Sequence, residues 1–322
     1  MSRNDRFPDR RHRIGIYAAP APVSQTYALY HHWLGRTAAL DLIRAPRITT
    51  SKLEEPGQMV RDIYAGVADI YDGLRKWRMW WMLAWNDVRR RYRRSVLGQF
   101  WLTMSMAVTI GGLGFVYSHL FGVDVSTYLP YIAVTFVTWA IISPVIVDSC
   151  NALIESDHLL RHISLPRSLF AYRVLARNLI IAGHNVLIIP IVFIIFHVGM
   201  NANILWLSVG LALVSINGFW IGYFLSIVCA RFRDIPQIVA SIMQVVFFVT
   251  PVMFLPSQLA KRGISVVKWN PFANLLEVVR DPILGAVPSA WALCSCAAMA
   301  FVGFLLLIPF AGRYAPRVIY WV

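Results

Sequence analysis

The sequence is short of charge, and of acidic charge most of all. Only 14% of its 322 residues are Asp, Glu, Lys or Arg, against roughly a quarter in soluble domains. Sixteen acidic residues face 30 basic ones, for a net charge of +14. Lysine is rarer still: Lys52, Lys76, Lys261 and Lys268 are all there are, and none closes a G-x-x-x-x-G-K-[ST] loop. That absence excludes a phosphate-binding loop within this chain. Cysteine is limited to Cys150, Cys229, Cys294 and Cys296, without the spacing of a zinc site or a disulfide framework. All four lie in or at the ends of apolar runs and read as packing residues. No apolar core follows Arg3, Arg6, Arg10, Arg11 and Arg13, so the N-terminus does not read as a secretory signal. A basic chain without a recognisable reader motif does not point to nucleic acid.

What the sequence has in abundance is apolar surface: 58% of residues are hydrophobic and the mean hydropathy is +0.58. The excess is gathered into long uncharged runs, the mark of an all-α integral membrane protein. Six spans are predicted, at about Phe100–Gly122, Tyr128–Cys150, Val174–Val198, Leu205–Ala230, Ile235–Leu255 and Ser289–Phe310. Between the last two, Pro256–Pro288 is too polar to cross a bilayer yet carries Phe272, Leu275, Leu276, Val278 and Val279, and is read as short re-entrant helices. Lys and Arg set the orientation. With the N-terminus inside, 18 precede the first span, six lie at Arg161, Arg167, Arg173, Arg177, Arg231 and Arg233, and two at Arg313 and Arg317. Only Lys261, Arg262, Lys268 and Arg280 fall outside, so both termini are expected in the cytoplasm.

Ahead of the first span, residues 1–74 read as a cytoplasmic extension, with Val60, Ile63, Tyr64, Val67, Ile70, Tyr71 and Leu74 on one side of a helix over 58–74. Residues 75–99 read as an interfacial helix, and 100–322 as the six-helix membrane domain. Trp77, Trp80, Trp81, Ala84, Trp85, Val88 and Tyr92 form an apolar stripe, with Arg78, Arg89, Arg90, Arg93 and Arg94 mostly opposite and Arg91 nearer the stripe. Rings at headgroup depth and guanidinium groups on phosphates suit the membrane surface.

One segment is distinctive. Trp85-Asn-Asp-Val-Arg-Arg-Arg-Tyr92-Arg-Arg-Ser95-Val-Leu97-Gly98-Gln-Phe-Trp101 resembles the signature of the type-2 ABC permeases that export polysaccharides, among them O-antigen, capsule and teichoic-acid exporters. Similar in family order are Asn151 with Leu159, Leu160 and Leu165-Pro166-Arg167, then Arg231-Phe-Arg233-Asp234-Ile235, Thr250-Pro251-Val252, Asn270-Pro271-Phe272 with Arg280, and Arg317-Val-Ile-Tyr320-Trp321. The resemblance covers about 75–322.

It implies a homodimeric membrane subunit, without cofactor or ATPase motif of its own, served by a separate nucleotide-binding subunit that holds ATP and Mg. Its substrate would be a lipid-linked, O-antigen-like glycan. The segment 151–167 (Asn151, Leu159, Leu160, Leu165, Pro166, Arg167) would be the coupling helix, with Arg233 and Asp234 in the next inner loop. Arg89, Arg91, Tyr92, Arg94, Ser95 and Trp101 would receive the lipid head. Phe115, Tyr117, Phe247, Phe248, Pro251, Asn270, Pro271 and Phe272 would line or gate the path. Aromatic faces stack on sugar rings regardless of sequence, although aromatic belts at span ends are equally ordinary. Few polar residues lie in the spans. Asp148 and Arg177 are expected to pair or snorkel, Asn185 and His184 to hydrogen-bond between helices, and Arg233 with Asp234 to form a local ion pair. A permease for a drug or lipid, or a membrane-embedded glycosyl or acyl transferase, are the rival readings.

Overall fold

The computed structural model describes residues 57–91, 100–199, 201–256 and 266–322. Every regular element among them is helical. In chain order the helices are α1 (Gln58–Arg75), α2 (Trp77–Arg91), α3 (Phe100–Phe121), α4 (Val125–Ser149), α5 (Asp157–His162), α6 (Ser168–Asn185), α7 (Ile188–Ile195), α8 (Trp206–Arg231), α9 (Ile235–Val249), α10 (Val266–Trp269), α11 (Pro271–Ile283) and α12 (Ala290–Tyr314). A 3-10 turn, Ala315–Tyr320, extends α12.

Five stretches are long and apolar enough to cross a membrane: Phe100–Phe121, Val125–Ser149, Ser168–Ile195, Ala202–Arg231 and Ala290–Tyr320. The fifth expected span, Ile235–Leu255, is shorter than the sequence suggests. Helix α9 stops at Val249, after 15 residues. At 1.5 Å per residue that is roughly 22 Å, less than a hydrocarbon core of about 30 Å. The reason is Pro251, which steers Thr250 out of the helical region to ψ 142°. Apolar sequence continues past it, so hydropathy overruns the helix end.

Helix α4 is the most enclosed span, and α8 lies beside α4, α6, α11 and α12. Helix α3, by contrast, is 11% buried, touching α4 and α6 and exposing Val108, Phe115 and Leu120. Its ties are slight: Gly114 faces Leu129 and Ile132, and Thr103 donates to Asn185 Oδ1 at 3.2 Å. That bond fulfils the interhelical role expected of Asn185, while His184 turns to its own Ile180 carbonyl at 2.8 Å.

Helix α1 forms where the apolar period predicts it, but docks by its other side. Gly66 and Gly73 are buried, while Val60, Tyr64, Val67 and Tyr71 face outward. A Cβ on Gly66 would stand 2.0 Å from the Ile308 carbonyl oxygen, and one on Gly312 would stand 1.7 Å from that of Asp62. Two glycines therefore let α1 and α12 cross backbone to backbone. The part of the expected extension that is described, 57–74, thus packs on the spans.

Candidate functional site

The signature segment sits on a network of charges. Asp87, on the side of α2 that holds the buried Leu83, Ala84 and Val88, meets Arg173 of α6 through two parallel bonds of 2.6 and 2.7 Å. Arg177, one turn on, lies 3.8 Å from the same carboxylate and donates to Asp148 of α4 at 3.0 Å. Asn178 adds a bond of 3.1 Å to Asp148, and Arg173 reaches Ser156 Oγ at 3.3 Å. The expected Asp148–Arg177 pair is present, within a larger set that ties α2, α4, α6 and the segment before α5 together. Asp87 is the one acidic position in the motif, and its partner Arg173 lies 86 residues on, beyond the reach of any local pattern. Trp80 stacks on Tyr172 at 5.8 Å, whereas Trp77, Trp81 and Trp85 are exposed. Arg89 and Arg91 are exposed too, as is Arg90, so burial does not set Arg91 apart. Tyr92, Arg94 and Ser95 lie outside the described residues; Trp101 is exposed on α3.

The segment from Cys150 to Arg167 folds as a turn, the short helix α5 and an extended return. Its apolar residues point inward. Leu160 is 4% exposed and packs with Leu153, Leu165 and Val318; Leu159 is half-buried against them. Leu159 and Leu160 of the expected coupling helix thus turn toward the chain's own core. The outward side carries Glu155, His158, Arg161 and His162. Asn151 and Pro166 are half-buried, and Arg167 donates to the Leu165 carbonyl at 3.0 Å.

Helix α6 begins beyond this segment with a cap supplied by another helix. Asp69 of α1 accepts the backbone N–H groups of Arg167 (2.8 Å) and Ser168 (3.0 Å) and the hydroxyl of Tyr223 (2.6 Å). A carboxylate on a helix N-terminus satisfies orphan donors and meets the positive end of the dipole. The loop 231–234 and the chain end lie nearby in the fold. Arg233 donates to the Trp321 carbonyl at 3.3 Å, and Arg231 lies over the Trp321 ring. Among the described residues no Arg233–Asp234 ion pair forms; Asp234 is exposed at the start of α9 and makes no side-chain cap. Val318, from the chain end, shares the core of the 151–167 segment.

Past α9 the chain is irregular, and its carbonyls are claimed by α4. Tyr131 donates to the carbonyls of Pro251 (2.9 Å) and Phe254 (3.0 Å), Thr135 to that of Val252 (3.0 Å), and Tyr128 to that of Met253. The carbonyls that the break at Pro251 frees from the helix are thus satisfied by side-chain hydroxyls. Asn270 caps α11, accepting the N–H of Phe272 at 2.9 Å, and donates to Thr250 Oγ1 at 3.1 Å. Arg280 is buried behind this region, bonded to Asp281 at 2.7 Å and 3.4 Å from the Tyr131 oxygen. Burial pushes the Asp281 carboxyl above the usual carboxylate range, against the pull of Arg280.

The expected path residues divide. Phe115 and Phe248 are exposed, at 60% and 64%. Tyr117 is half-buried beside Phe121, and Phe247 packs among Phe136, Trp139 and Phe248 at 5.3–5.7 Å. Phe272 is half-buried near Trp139, 6.3 Å away, and Pro251 is buried. Pro271 is exposed at the start of α11, and of the aromatic members of this set only Phe115 and Phe248 are exposed.

Comparison with known proteins fits this arrangement. Two curated relatives, each described as an O-antigen export system permease protein RfbA of Klebsiella pneumoniae, are 21% identical over 202 residues and 20% identical over 208. The first alignment covers 61% of this chain and 76% of the relative, the second 63% and 78%. The family model described as ABC-2 type transporter matches residues 78–284, which include the Asp87 network, the 151–167 segment, the break after α9 and α11. The chain belongs to the ABC-2 type transporter family.

Proposed function

We propose that this chain is the membrane subunit of an exporter for a lipid-linked polysaccharide, acting as two copies with a separate ATPase subunit in a bacterial inner membrane. The match of residues 78–284 to the family, joined to relatives named for O-antigen export, carries the reading. In this reading α9 completes a sixth crossing, α11 dips back from the outer side, and both termini are cytoplasmic, in line with the placement of 26 of the 30 Lys and Arg. Helix α2 lies along the inner surface, its exposed Trp77, Trp81 and Trp85 at headgroup depth and Arg89 and Arg91 offered to the pyrophosphate of the carrier.

The ATPase docks on the outward side of α5, at Glu155, His158, Arg161 and His162. A push there reaches α2 through Ser156, Arg173 and Asp87. The exposed sides of α3 and α9, with Phe115 and Phe248, face the second copy and the passing glycan. Those open aromatic faces favour a sugar polymer over a small drug or a bare lipid.

Reconstitution into proteoliposomes with the cognate ATPase tests the proposal. ATP hydrolysis should rise with lipid-linked glycan inside the reach of α2, and the chain alone should hydrolyse nothing. Stimulation by apolar drugs and not by glycan would overturn the substrate assignment.

A further inference from the structure

Helix α1 precedes the region that defines the family, and its sides carry three separate chemistries. At 3.6 residues per turn, Asp62, Gly66, Asp69 and Gly73 fall on one side, which is the side docked on α12 and α6 and bonded through Asp69 to Tyr223 of α8. Val60, Ile63, Tyr64, Val67, Tyr71 and Leu74 occupy the next side and are all exposed, Tyr64 by 68%. Arg61, Asp72 and Arg75 make up the third, exposed and charged. A helix on the surface of a water-soluble body turns its apolar side inward. Here the inward side is small and acidic, and the apolar side is left open next to it.

The surface of α12 explains what covers the open side. Phe301, Leu305, Ile308 and Gly312 recur along one side of this spanning helix. Gly312 and Ile308 carry α1, while Phe301, 72% exposed, and Leu305 continue the same row beyond it. Those two residues lie on a helix long and apolar enough to cross the bilayer, where exposed apolar side chains meet acyl chains. The apolar side of α1 continues that surface toward the end of α12, and its charged side bounds it. Tyrosines at the margin and arginines beyond them suit the depth where acyl chains give way to headgroups.

We infer that α1 is a second membrane-surface helix, whose Val60–Leu74 side rests on phospholipid acyl chains at the bilayer boundary around the C-terminal end of α12. The lipid holds α1 from one side while Asp69 holds the start of α6 from the other, so the anchor and the cap belong to one rigid helix. The inference rests on α12 crossing the bilayer, not on the identity of the cargo.

The test is photolabelling of the full-length protein in nanodiscs of phosphatidylethanolamine and phosphatidylglycerol containing a phospholipid with a diazirine acyl chain. Adducts are mapped by mass spectrometry. Tyr64, Val67 and Tyr71 should be labelled to an extent comparable with Phe301 and Leu305, and several-fold above Ala65 and Asp72. Labelling at Phe301 and Leu305 without labelling on α1 would overturn the inference and leave the spanning assignment of α12 intact. Labelling at neither would remove the bilayer from α12 and the inference with it. A V67C variant should not form disulfide-linked dimers in the membrane; efficient dimers through that position would give the face to a second copy instead.

Discussion

Replacing Asp87 with Asn keeps the shape of the side chain and removes the charge that two arginines share. Asp87 is 14% exposed and Arg173 16%, so both are largely withdrawn from water, and their two bonds measure 2.6 and 2.7 Å. Unit charges 4 Å apart attract by about 4 kcal/mol at an effective dielectric near 20. Removing one partner of a fully buried pair costs about 3–5 kcal/mol. Partial exposure and the retained Arg177–Asp148 bond reduce that figure, and we expect D87N to lower stability by about 2–4 kcal/mol. The measurement is a denaturant titration of the detergent-solubilised protein, closed as a double-mutant cycle with R173Q. Coupling should be about 1–3 kcal/mol, because the two groups share one contact. D157N supplies the internal comparison: its partner Arg161 is 53% exposed, and such pairs are worth at most about 1 kcal/mol. If D87N cost no more than D157N, or the cycle showed no coupling, the network would not be what fixes α2 to α6.

The two sides of α5 should separate by phenotype. L160D places a charge among Leu153, Leu165 and Val318 and should abolish folded protein, whereas R161E should insert normally and lose co-purification with the ATPase; equal loss of folded protein in both would refute the assignment of sides. Y131F strips the donor from the carbonyls of Pro251 and Phe254 and should cost about 1–3 kcal/mol in the same titration, with an unchanged midpoint counting against the bonds. G312L drives a side chain into the Asp62 carbonyl and should release α1, seen as faster proteolysis between Gly57 and Arg75; wild-type cleavage rates would mean that α1 and α12 do not cross there.

Helix positions were largely legible in the sequence, because an apolar run of span length has few other outcomes in a chain this poor in charge. Which neighbour a side chain would choose was not. The apolar period of α1 was plain, but nothing local says that Gly66 and Gly73 would turn inward and leave Tyr64 and Val67 outside. The same ambiguity holds at α5, where amphipathicity predicts one apolar side without saying whether core or partner receives it. Asp69 and Asp87 were invisible for a related reason: their bonds span 98 and 86 residues, far beyond any local pattern. The end of α9 lay within reach, since Pro251 biases Thr250 away from helix, but Val252, Met253, Phe254 and Leu255 kept the hydropathy high.

The hydroxyls of α4 that receive the chain after Val249 bear on how the protein is made. A 15-residue apolar helix followed by bare carbonyls is a poor candidate for leaving the insertion machinery by itself, since each unpaired carbonyl in hydrocarbon costs several kcal/mol. Tyr128, Tyr131 and Thr135 are synthesised more than 110 residues earlier and are in place before the segment emerges. On the proposed reading, in which α9 makes a sixth crossing, the segment enters lipid as a client of α4, and α4 has to wait at the exit for it. Changes to those three hydroxyls would then show first as slow or incomplete maturation, with degradation of newly made chains, even where the finished protein tolerates them.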